Sequence, residues 1–301
     1  MGPRGLNQFL KINNPNGINE VSLSDFTGKT IAIDASIYLY RFNTNNELIE
    51  NLYIMICMLK KHNITPLFIF DGKPPAEKIE TLNIRRKERD EAEKLYEMLV
   101  KNNISDVSNS LLEKLKRKKT KINSHNRVEA KQLLKNCGIS YIEAEGEADE
   151  LCAYCVLKNI AYACLSDDMD LFVYGCPRIL RYFSMMNQTV VYYDLQEILE
   201  SLGLTQEIFK NITILSGTDY NNQVMSIDKL YNIYIKNPRQ FEEEIMKKIH
   251  HEKYKNIQQI HEYYDVEKQD FNEVLKTRKY FNYNKQNERE FLSGYNFVFI
   301  E

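Results

Sequence analysis

Acidic side chains interrupt an apolar stretch, YACLSDDMDLFVYG, at residues 162–175. Asp167, Asp168 and Asp170 follow a run of residues that is typical of a buried strand. Two carboxylates about 4 Å apart repel by roughly 4 kcal/mol at an effective dielectric of 20. Such a cluster therefore predicts either bound cations or shared protons. Carboxylate oxygens favour magnesium or manganese over zinc as the cation.

Other acids follow the remaining apolar runs. Asp34 ends IAID and Asp71 ends FIFD. Glu147 and Asp149 open a helix after YIEAEG, and Asp219 follows ITILSGT, which has a helical pattern. Ligands bind outside the carboxyl ends of the strands in an open parallel sheet, so we expect these acids to share one cleft. Two divalent ions about 3.5–4 Å apart in such a cleft clamp a phosphodiester and activate water for in-line attack.

An ordinary structural role is the alternative for each acid taken alone, because a single Asp after a strand is more often a turn residue or a helix cap. The spacing of Asp168 and Asp170 favours a shared role, since alternate residues of an extended chain point the same way. Asp167 breaks this alternation, and we expect it to face solvent or to support a neighbouring ligand. The coincidence of acids at all the strand ends favours a metal centre.

Short apolar runs alternate with helical patterns along most of the chain. Strands are predicted within 29–36, 65–75, 138–145 and 161–168, and helices at 46–63 and 148–159. A hairpin of RILRYF and TVVYYD and two further helices follow. This alternation predicts an α/β fold with a mostly parallel, doubly wound central sheet flanked by helices.

The segment from about 76 to 135 interrupts the alternation, because it is helical in pattern, highly charged and poor in apolar residues. We expect a helical insertion that projects from the sheet. Within it, EKLKRKKTK carries a basic stripe at i, i+3, i+4 and i+7, formed by Lys114, Arg117, Lys118 and Lys121. Such a stripe is either a solvated helix face or a surface that follows phosphates.

The bulk composition limits the class of protein. The 301 residues are 43% hydrophobic, enough for one large domain or two small ones, and the formal charge of −2 gives no global attraction for nucleic acid.

Six scattered cysteines indicate reduced thiols, and the C-x-x-C of Cys152 and Cys155 lies in an apolar helix, where core thiols are commoner than a zinc site. With no secretory signal and no long apolar run, we expect a soluble intracellular protein, nuclear or cytoplasmic. The abundant Asn, Ile and Lys are typical of an AT-rich genome, such as that of a virus or a protist.

Six segments resemble, in order and near-family spacing, the motifs of flap endonucleases in the XPG-like superfamily of structure-specific 5′ nucleases. They are MGPRGL, IAIDASIYLYRF, FIFDGKPP, EAEGEADELCA, SDDMDLFVYG and ILSGTDY, and they cover roughly residues 1–225. The resemblance implies a nuclease core (1–220) with N and I regions and a helical arch at about 76–135. A helical C-terminal region (221–301) follows.

The resemblance also implies seven metal ligands, which hold two magnesium ions, with manganese as a substitute. They are Asp34, Asp71, Glu147, Asp149, Asp168, Asp170 and Asp219. Asp149 stands where the family usually has Glu. The acid is kept on a side chain one methylene shorter, which can ligate through water.

Residues that contact DNA are implied in the same way. Lys78 and Arg85 match two catalytic cations that neutralise charge developing on the scissile phosphate, and their spacing of seven places them on one helix face. Tyr40 matches a tyrosine that stacks on the nucleotide beside the cut, whereas without the family it would be assigned to the core. Gly2 matches a glycine that packs near the active site. The basic stripe falls where the family threads single-stranded 5′ flaps beneath its arch.

The implied activity is hydrolysis of DNA phosphodiesters at junctions of duplex and single-stranded 5′ flaps, during DNA replication, repair or recombination. The expected partner is branched DNA, a 5′ flap or a nicked duplex. The expected state is a monomer without membrane contact and without a recognisable sliding-clamp peptide. Two other functions remain alternatives: a small-molecule phosphohydrolase with Asp34 as nucleophile, and a non-catalytic nucleic-acid-binding protein.

The chain departs from the family after Asp219. The family continues into a helix–hairpin–helix whose glycine turn holds potassium and duplex phosphates, but Ser226 and Asp228 stand where glycines are expected. A β-carbon and a negative charge both disfavour close approach to a phosphate. We therefore expect a degenerate hairpin over 221–231, and no DNA contact is assigned to it.

Overall fold

The computed structural model describes residues 2–101, 108–241, 243, 245, 259–295 and 297. The chain divides into two compact units, each built from two separate stretches of sequence. The first unit comprises Met1–Ile33 and Asp149–Glu273, and the second comprises Asp34–Ala148 and Val274–Glu301. The predicted division into a core ending near 220 and a C-terminal region stays a prediction.

Seven strands are present among the described residues. They are β1 (Ile18–Ser22), β2 (Thr30–Asp34), β3 (Thr65–Phe70), β4 (Ser140–Glu143), β5 (Ala163–Leu165), β6 (Arg178–Ser184) and β7 (Thr189–Asp194). Of the five pairings described, three are parallel and two antiparallel. The predicted α/β class with mostly parallel strands is confirmed.

Helices follow or connect most of the described strands, as the alternating pattern predicts, although no α-helix joins β1 to β2 or β6 to β7. They are α1 (Leu6–Asn13), α2 (Ala35–Phe42), α3 (Leu48–Lys61), α4 (Ile79–Lys101), α5 (Asn109–Lys119), α6 (Ser124–Asn136), α7 (Ala148–Leu157), α8 (Asp170–Val173), α9 (Leu195–Leu202), α10 (Gln206–Leu215), α11 (Ile227–Lys236), α12 (Asn272–Lys276) and α13 (Lys285–Ser293). No helix in the described part of the chain has the length and apolarity to span a membrane.

The first unit contains strands that hydrogen-bond in the order β1, β7, β6, β5 and β2. β5 pairs in parallel with β2 and with β6, and it is buried along its whole length. Apolar runs without alternation are expected for strands covered on both faces. β6 and β7 form the predicted antiparallel hairpin, and β1 adds to it as an edge strand.

The second unit contains the parallel pair of β3 and β4, in which Phe70 lies opposite Glu143. Five of the six residues of β3 are buried, and the acids of this unit follow such apolar segments. The helix α6 packs on α3 and α13, and α4 packs along α5. Residues 102–107 lie outside the described part of the charged segment 76–135, and the described remainder is mostly helical, as the sequence predicts.

Candidate active site

Three carboxylates of the first unit lie close together. Asp149 is in the first turn of α7, Asp168 follows β5, and Asp170 begins α8. Each offers an oxygen within 4.8 Å of an oxygen of the other two. Asp149 and Asp170 are only 6% and 1% exposed, so water screens their mutual repulsion weakly. An all-oxygen donor set of this charge suits magnesium or manganese. We call these three residues the acid triad.

A tight turn brings Asp168 and Asp170 together. The amide of Asp168 donates to Ser166 Oγ at 3.1 Å, and the amide of Asp170 donates to Asp168 Oδ1 at 3.1 Å. The two acids lie together as expected, but the expected extended conformation was wrong, because β5 ends at Leu165 and Asp170 already begins α8. Side-chain bonds to the amide two residues on are typical of Asp and Ser in turns.

Gly2 packs against this turn with a backbone φ of +97°. A β-carbon built there would lie 2.8 Å from the amide nitrogen of Asp170 and 3.0 Å from Asp168 Oδ1. Only glycine combines this backbone angle with so close an approach. The position of Gly2 agrees with the expected packing near the acids, and its role in DNA binding stays a prediction.

Tyr264 contacts Asp170 of the acid triad, and the sequence provides no reason to expect it there. Its hydroxyl donates to Asp170 Oδ1 at 3.0 Å, and its ring is 1% exposed. The ring packs against Tyr174 and Tyr220, with centroid distances of 5.0 and 5.7 Å. Burial, with the negative charge of Asp170, raises the pKa of Tyr264 well above its ordinary value. The phenol is therefore a proton donor at every physiological pH.

Asp219 lies in the loop after α10, and Asn221 holds that loop in place. Asn221 Oδ1 accepts from the amide and the hydroxyl of Thr218, at 3.0 and 2.6 Å, and its amide donates to the carbonyl of Ile214 at 2.7 Å. Gly217 turns the chain with a φ of +97°. The sequence locates the acid but gives no signal for Asn221.

Two of the predicted ligands in the second unit are linked through Ser36. Asp34 Oδ1 accepts from the Ser36 amide at 3.1 Å and caps α2, while the Ser36 hydroxyl donates to Asp71 Oδ2. Asp71 Oδ1 accepts from the amide of Ala148, the first residue of α7, at 2.8 Å. Asp34 therefore has the capping role that is the ordinary alternative, and it uses Oδ1 for that cap. Asp71 accepts hydrogen bonds through both of its oxygens, from Ser36 and from the first amide of α7. Each carboxylate oxygen has more than one lone pair, so these bonds are compatible with a ligand role.

Lys78 pairs with Glu147 in the same unit. Its ammonium lies 2.7 and 2.8 Å from the two carboxylate oxygens, and the side chains are 7% and 18% exposed. Lys78, which is predicted to bind phosphate, thus forms an ion pair with Glu147, which is predicted to bind metal. Arg127, which sequence reasoning missed, donates to the carbonyl oxygen of Asp71 at 3.1 Å and lies 3.9 Å from Asp71 Oδ2.

Acids on α4 partly neutralise two cations of the basic stripe. The expectation that one helix carries the whole stripe was wrong for Lys121, because α5 ends at Lys119. Lys118 lies 3.2 Å from Glu88, and Lys121 lies 2.6 Å from Glu93. Exposed pairs of this kind contribute little to stability, but they reduce the positive field along the basic stripe. The remaining members of the stripe, Lys114 and Arg117, are exposed, and Arg85 on α4 is partly buried.

The remaining residues singled out by the sequence have plain structural settings. Tyr40 is 44% exposed, so it is available for stacking and is not a core residue. Cys152 and Cys155 are buried in α7 as core thiols. Ser226 precedes α11 with an ordinary φ of −66°, and Asp228 lies in the first turn, where an acid favours the helix.

A cavity of about 440 Å³ lies elsewhere in the first unit. Its lining comprises Gln206, Glu207, Lys210, His261, Glu262, Asp265 and Lys268. Lys210 donates to the carbonyl of Tyr264 at 3.0 Å, so α10 is hydrogen-bonded to the residue that contacts Asp170. None of the seven predicted ligands lines this cavity, so it carries no part of the predicted chemistry.

His261 makes stability depend on pH. The pKa of His261 is lowered to about 4, chiefly by burial and also by the positive charge of Lys210, while Asp265 acts in the opposite direction. The unfolded chain binds this proton below about pH 6.5, so acidification between these values favours unfolding. We expect His261→Gln to flatten the fall in urea midpoint between about pH 6.5 and pH 4. His125→Gln is the control, since that side chain is 75% exposed. Parallel pH profiles for wild type and His261→Gln would contradict this expectation.

Two family models match the chain. The XPG N-terminal domain matches residues 1–92, and the XPG I-region matches residues 138–219. A flap endonuclease 1 from Theileria annulata is 35% identical over 238 residues, which are 73% of this chain and 46% of that protein. The chain thus spans about half the length of this relative.

Solved structures share the fold. The catalytic core of Rad2 in complex with a DNA substrate has a TM-score of 0.68 at 23% identity, covering 95% of this chain and 93% of that one. Flap endonuclease-1 from Methanococcus jannaschii has a TM-score of 0.65 at 23% identity, covering 92% of this chain and 90% of that one. At this level of identity the likeness is one of fold alone.

Proposed function

We propose, on the premise that this chain belongs to the XPG-like superfamily that includes the flap endonucleases, that it is a divalent-metal-dependent, structure-specific 5′ nuclease. Its substrate is DNA in which a duplex meets a single-stranded 5′ flap, and it acts inside the cell, in the nucleus or cytoplasm, during replication, repair or recombination. The observation that carries the proposal is the acid triad, whose oxygens lie within 4.8 Å of one another.

The carboxylates hold the metal in this proposal. The proposed ligands are the acid triad together with Asp219, Asp34, Asp71 and Glu147. We assign them two magnesium ions, with manganese as a substitute. Bound magnesium supplies positive charge for the phosphate and lowers the pKa of water. The turn at Ser166 and the cap at Ser36 hold ligand oxygens in fixed directions, which limits reorganisation during the reaction.

Cations and an aromatic ring orient the DNA. Lys78 and Arg85 stabilise charge on the scissile phosphate, and the exposed ring of Tyr40 stacks on the neighbouring base. The basic stripe tracks the unpaired strand, chiefly through Lys114 and Arg117, since Lys118 and Lys121 already have acidic neighbours. Gly2 keeps the turn of the acid triad compact near the DNA.

A substrate panel tests this proposal. The full chain is incubated with a labelled 5′ flap, 3′ flap, bubble, nicked duplex and single strand, each with magnesium and with chelator. We expect magnesium-dependent cleavage that is fastest for the 5′ flap. Hydrolysis of a generic phosphomonoester without any cutting of DNA would assign the chain to the small-molecule phosphohydrolases. Binding of DNA without cutting would make it a binding protein.

A further inference from the structure

Tyr264 belongs to the stretch that follows α11, beyond the residues that either family model covers. Nothing in the sequence around it, HEYYDVEK, marks a functional position. Yet its side chain reaches the acid triad. The hydroxyl donates to Asp170 Oδ1 at 3.0 Å, and this contact joins residues that are 94 positions apart in the chain.

The surroundings fix the Tyr264 side chain. The ring is 1% exposed and packs in an edge-to-face manner on Tyr220, which follows Asp219 directly. The backbone of Tyr264 is held by Lys210, which donates to the Tyr264 carbonyl at 3.0 Å. A buried ring with two neighbours and a tethered backbone has little freedom to move its hydroxyl away from Asp170.

The chemistry of the contact suits a metal ligand. A carboxylate rotates about its last bond, and a donor on one oxygen fixes the direction of the other lone pairs. Hydrogen bonds from neutral groups to ligating side chains fix ligand orientation in metal sites, and their loss typically costs about 10–100-fold in metal affinity or activity. Because the phenol is neutral, it orients Asp170 without cancelling the negative charge that a cation needs.

We propose that Tyr264 is a positioning residue that orients Asp170 for binding of a divalent cation. The inference rests on the proposed function, in which Asp170 is a metal ligand. It extends the active site to the stretch after α11, which the sequence motifs leave without a role.

Metal titration tests the inference without any reaction step. Manganese is titrated into the full chain by calorimetry, in the absence of DNA, for wild type, Tyr264→Phe and Tyr192→Phe. Tyr192→Phe is the matched control, since its hydroxyl donates to Asp194 Oδ2 at 3.1 Å, where the acid only caps α9. We expect the Kd for manganese to rise about 10–100-fold in Tyr264→Phe and to stay unchanged in Tyr192→Phe.

Each outcome decides between separate claims. Manganese affinity of Tyr264→Phe within about twofold of wild type, with lower stability in chelator, would mean that Tyr264 only supports the fold. That result would leave the proposed nuclease intact. No manganese binding by wild type would overturn both proposals. If Tyr264→Phe fails to fold, Tyr264→Met removes the same hydroxyl with a side chain that adapts to irregular space, and the same rise in Kd is expected.

Discussion

Asp168→Asn is expected to slow cleavage of a labelled 5′-flap duplex by about a thousandfold while the protein remains folded. The amide oxygen of Asn still accepts from the amide of Asp170, so the turn that Asp168 forms survives. The negative charge that a divalent ion needs is lost, and such an ion supplies several kcal/mol of transition-state stabilisation. Single-turnover cleavage with saturating magnesium measures the effect.

In chelator, where no metal is bound, Asp168→Asn is expected to stabilise the protein. The acid triad holds three carboxylates within 4.8 Å, and each pair repels by about 3–4 kcal/mol at an effective dielectric of 20. Removing one charge is therefore expected to raise the urea midpoint without metal and to reduce the gain that magnesium gives to wild type. Asp167→Asn is the control, because Asp167 lies beside the triad and accepts from the Tyr182 amide instead. Near-wild-type cleavage by Asp168→Asn would remove the main support for the proposed function.

Gly72→Ala is expected to destabilise the protein by about 3 kcal/mol or more, because no space exists for a β-carbon. An atom built there would lie 2.1 Å from the carbonyl oxygen of Ala144 and 2.4 Å from that of Glu145. These oxygens belong to a backbone segment that two hydrogen bonds hold in place, from the Gly72 amide to the Gly146 carbonyl and from the Lys73 amide to the Glu145 carbonyl. Relief of the clash requires the segments that carry Asp71 and Glu147 to separate. Urea denaturation monitored by far-ultraviolet circular dichroism measures the loss.

Gly294→Ala is the matched control in the same unit. A β-carbon at Gly294 would meet only the Phe291 carbonyl at 3.3 Å, and its φ of −67° suits any residue. We expect a change within about 0.5 kcal/mol for this variant, as for ordinary surface substitutions. Equal midpoints for Gly72→Ala and Gly294→Ala would show that the two segments separate easily, contrary to the packing described.

The sequence predicts best the strands that are buried along nearly their whole length. The runs that became β2, β3 and β5 are continuous and apolar, and such runs have few other interpretations when turn residues bound them. β1 was not predicted, because none of its residues INEVS is buried and the strand is held by pairing with β7 rather than by an apolar pattern of its own. Tertiary pairing of this kind leaves no local signal.

The acids could be found from the sequence, but their supports could not. Asp168 and Asp170 stand out because charge follows an apolar run, whereas Tyr264, Asn221 and Arg127 are ordinary residues in ordinary surroundings. Their contacts join distant parts of the chain, as between Arg127 and Asp71, which are 56 residues apart. Motif spacing reports on residues near one another in sequence, and long-range donors become visible only in the fold. The shared cleft of all seven acids stays a prediction.

Each unit is built from two separate stretches of sequence, and this has a consequence for the nascent polypeptide. Tyr141 and Lys279 exchange backbone hydrogen bonds of 3.3 and 2.9 Å, so the second unit joins residues that are far apart in the sequence. The first unit likewise needs residues up to Glu273. Translation proceeds at about 5–20 residues per second, and domains made of one continuous stretch fold as they emerge. Here each unit is built from two stretches that are far apart in the sequence, so neither unit is expected to fold fully before its later stretch has been synthesised.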